Sequence, residues 1–488
     1  VNMDLEEDSF ACARRKLHES VATSIRQKDL NCESLNETLK NILHEINQCA
    51  NGYKCDPEFL QDLQSVLENC LTANFPQPGH CREIQCATEA FRIFRNSCGL
   101  CVNNQAIIRT ESKIPFTTHR LICKLRDSLD GEKDCCVNVL VRCLVQFLGN
   151  YCAGNKENSG QMWNLFQDTF MYLLNYKDDK VLSYTCMVLH TCFSGKDGLG
   201  TIRGHQCCDI LHKVISYSTK QETEWGLYVI EDALMMPWFL DNIEKSLNLE
   251  ELLLVNEVLL NMLNALKEND ESYTRAPAIE NLRVVTKNFK TGAYKVLVLG
   301  APNADDSQMI LNTVKQLEIL CLAMSHPGLY KPLQEDVDLV TCAVYLLQSI
   351  NELGKEGNNS FSAVEKMSQN RLVDVQHPSY GLKRDLIRLI GNLAYKNKTN
   401  QDKVRELHGI PLILDLTKLD QRNPFITQWA VFAIHNLCEG NNNNKAVLAG
   451  IKMEGLADNV HLLQEFGVNA ELVGEKIVVK PDPDKEDS

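Results

Sequence analysis

The sequence has neither a long uninterrupted apolar run nor an excess of basic residues. No stretch of about 18 apolar residues occurs without interruption, so no membrane span is expected. The 50 Lys and Arg residues are outnumbered by 64 Asp and Glu residues, which gives a formal net charge of −14. Because nucleic-acid binders usually carry a basic surface, this charge argues against a nucleic-acid partner. The acidic start, VNMDLEEDSF, lacks an apolar signal core and predicts a cytosolic chain.

The motifs that mark common catalytic sites are incomplete or missing. HEINQ, residues 44–48, begins like a zinc-protease helix, but Gln48 stands where the second His is needed. Gly-rich residues 195–204 lack the spacing of a phosphate-binding loop, and no GxSxG motif occurs. YKVLVLGAPNADD, residues 294–306, looks like a strand and turn that open a nucleotide-binding fold, but no βαβ pattern follows. We therefore predict a chain that has no catalytic residues and needs no cofactor.

Cysteine, in contrast, is abundant: 18 of the 21 cysteines lie before residue 209. Most of them lie within apolar helical patterns, as Cys143 and Cys186 do, and a free thiol packs there as a small hydrophobic group. Without a signal peptide, a disulfide framework is not expected. One cluster offers possible zinc ligands: His80, Cys81, Cys86, Cys98 and Cys101. Since only the last two have CxxC spacing, core packing is the favoured interpretation, and a metal-dependent protein that uses this half stays an alternative.

One pattern repeats along the chain. An Asn follows an apolar stripe, and a second Asn often comes eight residues later, as in the gap-free match between residues 148–162 and 390–404. The anchor positions are Asn47, Asn96, Asn150, Thr191, Asp232, Asn351, Asn392 and Asn436. Successive anchors are 41 to 54 residues apart, except for one gap of 119 residues that has room for two or three further units. A period of this length is typical of armadillo and HEAT repeats and predicts an all-α, right-handed α-solenoid.

The turn residues of the last full repeat predict a three-helix armadillo unit. Asn400 is expected to cap a short helix, as Asn444 is in the next repeat, and Gly409 to end that helix in the left-handed conformation. Pro411 and Pro424 then stand where the next two helices would begin, because proline is favoured in the first helical turn. The second Asn of each pair is therefore interpreted as a helix cap.

The first Asn of each pair lies near the end of a long helix, and long helices line the groove of an armadillo superhelix. Steps of four stay on one helix face and define a polar stripe. Its members are Arg92, Asn96, Arg142, Gln146, Asn150, Arg384, Arg388, Asn392, Gln428, Phe432 and Asn436. These side chains could hold an extended peptide, with Arg binding its acidic groups. Alternatively, each Asn bonds to the backbone of the neighbouring repeat.

Composition and periodicity divide the chain into six segments. The predicted order is Cys-rich armadillo-like repeats at 1–267, a loop or insertion at 268–306, a further helical repeat at 307–353, a linker at 354–381, C-terminal armadillo repeats at 382–470, and an acidic tail at 471–488. The tail is charged and contains proline, so we expect it to be disordered. No β-sheet is expected anywhere.

Residues 377–441 resemble the C-terminal domain of the ataxin-10 family, and the Cys-rich repeats resemble the rest of that family in length and order. The resemblance implies an armadillo α-solenoid without catalytic activity that self-associates and binds O-GlcNAc transferase. It implies a phosphoprotein of the cytoplasm, near the nucleus or at the centrosome, midbody or ciliary basal body. It also implies roles in cytokinesis and the cell cycle, neurite outgrowth and neuronal survival.

A nuclear-import adaptor is the alternative within the binding class. Such adaptors place a Trp four residues before each groove Asn, where it stacks on basic peptide side chains. The corresponding positions here are Arg92, Gln146, Arg388 and Phe432. In addition, no basic autoinhibitory segment is seen near the start of the sequence. The import interpretation is therefore disfavoured.

Overall fold

The computed structural model describes most of the helical chain and one hairpin. The described residues are 11–12, 14–23, 32–48, 55–72, 81–99, 101–128, 135–194, 205–221, 223–266, 275–300, 307–357, 359–364, 373–418, 420–451, 468–473 and 476–481. They form two compact units, Val1–Val284 and Val285–Ser488. The Gly-rich stretch 195–204 lies outside the described residues.

The first unit is built of helices that follow a helical stretch at 14–23. They are α1 (Cys32–Gln48), α2 (Pro57–Thr72), α3 (Cys81–Cys98), α4 (Val102–Glu111), α5 (Ile114–Ser128), α6 (Cys135–Cys152), α7 (Lys156–Leu174), α8 (Asp179–Phe193), α9 (His205–Lys220), α10 (Glu224–Leu234), α11 (Phe239–Ile243) and α12 (Leu249–Asn264). A 3-10 turn, Glu244–Ser246, joins the last two.

These helices stack in two rows. One row contains α1, α3, α6, α8 and α10, each packed on the next, and the other contains α2, α5, α7, α9 and α12. Apolar residues at helical spacing fill the space between successive helices. Phe91 and Phe94 of α3 pack against Phe147 of α6, with ring centroids 5.9 and 5.6 Å from that of Phe147, and all three are buried. Repeats stacked in this way are the all-α solenoid architecture that the sequence predicts.

Helix α6 is long and has a largely apolar sequence. Among the described residues it is the one helix that is long and apolar enough to cross a membrane by length and composition. Its apolar positions are mostly buried against α3, α7 and α8, as expected for the central helix of a repeat stack.

The second unit begins within α13 (Ile279–Gly292), which contains the boundary between the units. A 3-10 segment, Ala293–Gly300, follows it. The later elements are α14 (Ser307–Met324), α15 (Pro327–Tyr330), a 3-10 segment (Lys331–Glu335), α16 (Val337–Glu356), α17 (Leu382–Ala394), α18 (Lys398–Glu406), α19 (Gly409–Asp415), α20 (Ile426–Cys438), α21 (Asn442–Gly450), β1 (Val468–Val473) and β2 (Lys476–Pro481). Helices α14, α17 and α20 pack in succession.

The predicted loop at 268–306 and the predicted linker at 354–381 need correction. Residues 279–300 are helical, because Leu282, Val285 and Phe289 recur at helical spacing and are buried. In the second segment, α16 continues to Glu356, and Phe361 is buried. The described parts of both segments therefore belong to the packed fold.

The expectation of no sheet is wrong. Strands β1 and β2 pair in antiparallel register, from Val468 opposite Pro481 to Val473 opposite Lys476. They overlap the segment 471–488 for which disorder is expected. The β-branched run in KIVVK and the alternation in VNAELV favour strands. The charge and proline of the last residues led to the prediction of disorder instead.

The cysteines described by the structure are free thiols. Of the 15 described before residue 209, nine are buried, such as Cys86 and Cys143. Burial raises the pKa of the Cys186 thiol to about 12, so it stays protonated and apolar at neutral pH. The prediction that most of these thiols pack in the core is confirmed for this part of the chain.

Candidate interaction surface

Asn residues do cap the short helices, but not at the predicted positions. The caps of α7, α18 and α21 are Asn155, Asn397 and Asn441, whose side-chain oxygens accept hydrogen bonds from the backbone N–H three residues later. Asn400 and Asn444 are those third residues and lie inside the first turn. The assignment of Asn400 as the cap is therefore wrong, because an Asn three residues earlier has the extended backbone that a cap requires.

The second Asn instead ties its short helix to the helix before it. Its side-chain Nδ2 donates to the carbonyl seven residues earlier in four repeats. The pairs are Asn104–Ser97 at 2.8 Å, Asn158–Tyr151 at 2.8 Å, Asn400–Leu393 at 2.9 Å and Asn444–Leu437 at 2.7 Å. All four Asn side chains are buried, and in three of them Nδ2 also donates to the preceding repeat. These bonds satisfy carbonyls at helix ends that would otherwise lack a partner.

A Gln next to this Asn joins the repeat to its successor, although it was not among the predicted site residues. Gln401 Nε2 donates to the carbonyls of Ala394, Asn436 and Glu439, at 3.3, 2.8 and 3.1 Å. In the first unit, Gln105 makes the same three contacts with Cys98, Asn150 and Ala153. The Asn-Gln pair shared by 104–105 and 400–401 is the sequence signal that could have revealed this clamp.

The end of α18 also differs from prediction. His408, with φ of 56°, takes the left-handed position expected of Gly409, and Gly409 is instead the first residue of α19. A side chain at Gly409 would have its Cβ only 2.6 Å from Val404 Cγ1, so close packing explains this glycine. Pro411 consequently lies in the first turn of α19 but not at its first position.

The first Asn of each pair bonds mainly to backbone of the neighbouring repeat. Asn436 Nδ2 donates to Gly391 O at 3.0 Å, and Asn392 Nδ2 donates to Cys321 O at 3.1 Å. Both side chains are buried. In the first unit, half-buried Asn150 Nδ2 donates in the same way to Arg95 O at 2.9 Å. The amide groups of Asn392 and Asn436 are therefore used within the stack and are not presented to an extended peptide.

Asn96 is different because its side-chain bonds are to other side chains. Its Nδ2 donates to Asn47 Oδ1 at 2.6 Å, and its Oδ1 accepts from Arg95 Nε at 2.9 Å. Arg95 also donates to Gln146 Oε1 at 2.7 Å, which links α3 to α6. These groups, none of which is buried, form a chain of hydrogen bonds across three successive helices of one row.

Three of the four arginines of the stripe have acidic partners within the chain. Arg92 pairs with Glu89 at 2.7 Å, Arg384 with its neighbour Asp385 at 2.8 Å, and Arg142 with Asp178 at 2.5 Å. Burial disfavours the charged form of Asp178, but hydrogen bonds from Arg142 and the Val181 N–H outweigh it and lower the pKa of this carboxyl. A partner-binding role for these arginines stays a prediction.

Arg388 is the arginine of the stripe that stacks on an aromatic ring. Its guanidinium lies 4.9 Å above the ring of Trp429 on α20, a cation–π distance. Trp429 in turn makes an edge contact with Phe432, with ring centroids 5.6 Å apart. The Nε of Arg388 is buried and has no hydrogen-bond partner in the described part of the chain. Arg388 and Phe432 thus belong to one aromatic cluster on α17 and α20.

Beyond this cluster lies an exposed apolar surface, which we call the outer face of α20: Phe425, Val431 and Phe432. Their exposed fractions are 68%, 64% and 38%. Helices α17 and α20 are both 13 residues long, and Asn392 corresponds to Asn436, so Val431 corresponds to Ile387 of α17. Ile387 is completely buried. Val431 therefore occupies a repeat-stacking position that no described helix covers.

Phe425 adds backbone strain to this face. It immediately precedes α20 with φ of 65°, and its counterpart before α17 is Gly381, with φ of 77°. The left-handed conformation costs an L-residue with a bulky side chain roughly 1–2 kcal/mol, whereas glycine adopts it freely. The chain thus holds a strained, exposed aromatic residue where the preceding repeat has glycine.

The cysteine cluster considered as a zinc site does not converge. Cys86 and Cys98 lie in the same helix, and 12 residues of α-helix span about 18 Å, too far for one ion. His80 and the side chain of Cys81 lie outside the described residues. Cys86 and Cys98 are instead buried in the core, as the favoured interpretation predicts.

The stacked helices and their internal Asn and Gln clamps define a helical-repeat protein of the α-solenoid class. Residues 382–480 match the family model described as the spinocerebellar ataxia type 10 protein domain. Ataxin-10 of Xenopus tropicalis is 34% identical over 405 residues, which cover 82% of this chain and 81% of that protein. Human ataxin-10 is 34% identical over 406 residues, with 81% and 82% covered. The chain therefore belongs to the ataxin-10 family.

A more distant relative matches the chain over a shorter stretch. The ataxin-10 homolog of Dictyostelium discoideum is 46% identical over 89 residues, which cover 18% of this chain and 15% of that protein. The resemblance to the ataxin-10 family that the sequence indicates is thus confirmed.

Proposed function

We propose that this chain is a non-enzymatic scaffold that binds other proteins, and that the outer face of α20 is the surface on which a second copy docks. The exposure of Val431 at a position that is buried in the preceding repeat is the observation that carries this proposal. Exposed apolar patches on a folded protein mark interaction sites more often than single exposed residues do.

The chemistry of the face favours a partner built of stacked helices. Val431 occupies the position on α20 where the next helix of a repeat stack would pack, whereas the partly exposed ring of Phe432 borders α17 next to Gly391. A second copy carries repeat faces of the same kind, so its helices are complementary in shape and polarity. Aromatic residues and arginine are also the residue types most often found at energetic centres of interfaces, and Arg388 lies beside this face.

The strain at Phe425 supports the same conclusion. A residue held in a sparsely populated backbone region persists where surrounding structure fixes it, and such residues cluster at functional sites. Glycine would remove the strain, yet the chain has an aromatic side chain that is 68% exposed. An aromatic anchor for a partner explains both the strain and the exposure.

Family membership supports the cellular part of the proposal. We infer that the chain acts in the cytoplasm, near the nucleus and at the centrosome, midbody or ciliary basal body, in cytokinesis and neurite outgrowth. O-GlcNAc transferase is the proposed enzyme partner, and the chain itself is proposed to be a phosphoprotein without catalytic residues. These roles follow from the family resemblance.

Sedimentation velocity of the purified chain over a concentration series tests self-association. The double variant Val431→Ser and Phe432→Ser is expected to weaken association at least ~10-fold, because two apolar contacts are lost. The matched control is Phe116→Ser, which removes an aromatic residue of α5 that is 53% exposed. Equal association of both variants and the parent chain would refute the outer face as the docking surface.

A direct binding assay between the purified chain and purified O-GlcNAc transferase tests the enzyme partner separately. Saturable binding that the same double variant weakens would place both partners on one face. Saturable binding that the double variant leaves unchanged would place the transferase elsewhere, and no binding would remove it from the proposal.

A further inference from the structure

Three side chains on α5 and α7 converge in a way that the function proposed above does not use. His119 and Cys123 lie one turn apart on α5, and Asp168 lies on α7. Their ligand atoms all lie within 4.8 Å of one another. Among the described residues, no other group of three His, Cys, Asp or Glu side chains converges in this way.

The distances fit a tetrahedral metal centre. His119 Nε2 lies 3.2 Å from Asp168 Oδ1 and 3.7 Å from Cys123 Sγ. Zinc binds imidazole nitrogen at about 2.0–2.1 Å, carboxylate oxygen at about 2.0–2.2 Å and thiolate sulfur at about 2.3 Å. With tetrahedral angles, those bond lengths separate nitrogen from oxygen by roughly 3.3 Å and nitrogen from sulfur by roughly 3.6 Å. The three groups are therefore already near coordinating positions.

The described part of the same unit contains three similar pairs that lack the third group, and in one of them His190 Nδ1 lies 2.6 Å from Asp232 Oδ2. His18 Nδ1 lies 3.1 Å from Asp62 Oδ2, and His212 Nε2 lies 3.3 Å from Glu251 Oε2. Each pair bridges two helices, as His119 and Asp168 do, so the His–carboxylate contact alone is a structural bond between repeats. Ala22 follows His18 by four residues, where Cys123 follows His119. Cys208 lies one turn before His212, but its sulfur does not come within 4.8 Å of both partners.

We propose that His119, Cys123 and Asp168 form a zinc-binding site. The site takes a thiophilic divalent cation, with one imidazole, one thiolate and one carboxylate as protein ligands. Binding of Zn²⁺ releases the thiol proton of Cys123 to solvent, and the sulfur binds as the thiolate. The Asp168 side chain is 54% exposed, so the fourth position is open to water or to a ligand group from a partner protein.

A metal at this position would hold two repeats together. His119 and Cys123 come from α5 and Asp168 comes from α7, the next helix of the same row. A cation bound to all three adds a cross-link between these helices and stabilises the folded state by mass action. The site thus differs from the cysteine cluster considered in the sequence, and it departs from the expectation that the chain binds no metal.

Titration of the full-length, reduced and demetallated chain with Co²⁺ and Zn²⁺ tests this proposal. We expect one Co²⁺ per chain, with the visible absorption of a tetrahedral centre and a thiolate-to-cobalt charge-transfer band that Zn²⁺ abolishes. Cys123→Ser should remove the charge-transfer band, and Asp168→Asn should weaken Zn²⁺ binding at least ~10-fold. Added Zn²⁺ should raise the melting temperature of the parent chain but not that of the Cys123→Ser variant.

Two matched controls distinguish this site from the many other thiols. Cys342→Ser removes a half-buried thiol of the second unit, and His212→Gln removes one of the similar His–carboxylate pairs. Both should bind Co²⁺ and Zn²⁺ as the parent chain does, and circular dichroism should show that all variants are folded. A charge-transfer band that persists in Cys123→Ser, or a parent chain that binds no Co²⁺ at micromolar concentration, would overturn the proposal.

Discussion

One side of α20 packs tightly against α17, and the other side is exposed. On the side toward α17, Gly391 lies so close that an added Cβ would be 3.0 Å from Ala433 Cα, and buried Asn436 bonds to Gly391 O. On the other side, Val431 and Phe425 are exposed. The comparison teaches that the stack is held by close packing together with buried polar clamps. The side of α20 that no described helix covers keeps the apolar residues of a stacking surface without the clamps.

Ile387 and Val431 test this difference most clearly, because they occupy corresponding positions of α17 and α20. Ile387→Ala should lower the free energy of unfolding by about 2–5 kcal/mol, because it removes buried methyl groups and leaves a cavity. Val431→Ala should change it by less than about 0.5 kcal/mol, as is usual for exposed positions. Urea unfolding of both variants measures the difference, and similar losses would show that Val431 is covered in solution.

The clamp formed by Gln401 is expected to have the next largest effect. Gln401→Leu should destabilise the second unit by about 2–4 kcal/mol, because the carbonyls of Asn436 and Glu439 lose a buried donor. Thr399→Ala, an exposed change in the same helical turn, serves as the control. If both variants unfold at the same urea concentration, the clamp does not stabilise the stack.

Removal of a cap should cost less than removal of the clamp. Asn397→Ala should lower stability by about 0.5–2 kcal/mol, because the N–H of Asn400 loses its acceptor. Thr399→Ala again provides the reference for a change in the first turn of α18. Thermal unfolding followed by circular dichroism measures the effect, and a loss no larger than that of Thr399→Ala would contradict the assignment of Asn397 as the cap.

Arg388 tests the boundary between the packed side and the exposed side. Arg388→Glu should cost roughly 0.5–1 kcal/mol through loss of the contact with Trp429. It should also weaken partner binding, because a carboxylate replaces the cation beside the docking face. Melting temperature and partner affinity are measured on the same variant. A large melting loss would show that Arg388 serves the stack alone, and unchanged values of both would show that the partner binds elsewhere.

The repeat architecture could be predicted because its signals are local and periodic. The apolar spacing before Asn392 predicts α17, and the anchors Asn392 and Asn436 predict the stacking of α17 on α20. Helix α14, which also packs on α17, contains none of the predicted anchors, because Asn351 lies on α16. The exact cap could not be predicted, because Asn397 and Asn400 both have the side chain that a cap requires. Which of the two caps the helix depends on the backbone, because Asn397 has the extended conformation of a cap, whereas Asn400 lies in the first turn and donates to Leu393 O.

The candidate sites depend on contacts between repeats and were harder to predict. The helical stripe places Asn436 on the face with Phe432, but the sequence does not reveal that Gly391 O receives the Asn436 amide. The convergence of Cys123 with Asp168, 45 residues later, likewise requires the packing of α5 against α7. Hairpin β1–β2 was missed because net charge outweighed the short β-branched run.

The measurement that tests the docking face most directly is self-association of the Phe425→Gly variant. Glycine adopts the left-handed backbone at this position without strain, so stability should be unchanged or higher by about 1 kcal/mol. At the same time, the Kd for self-association, measured by sedimentation velocity, should rise at least ~10-fold, because an exposed aromatic anchor is lost. A variant that folds as stably as the parent chain and associates equally well would contradict the account.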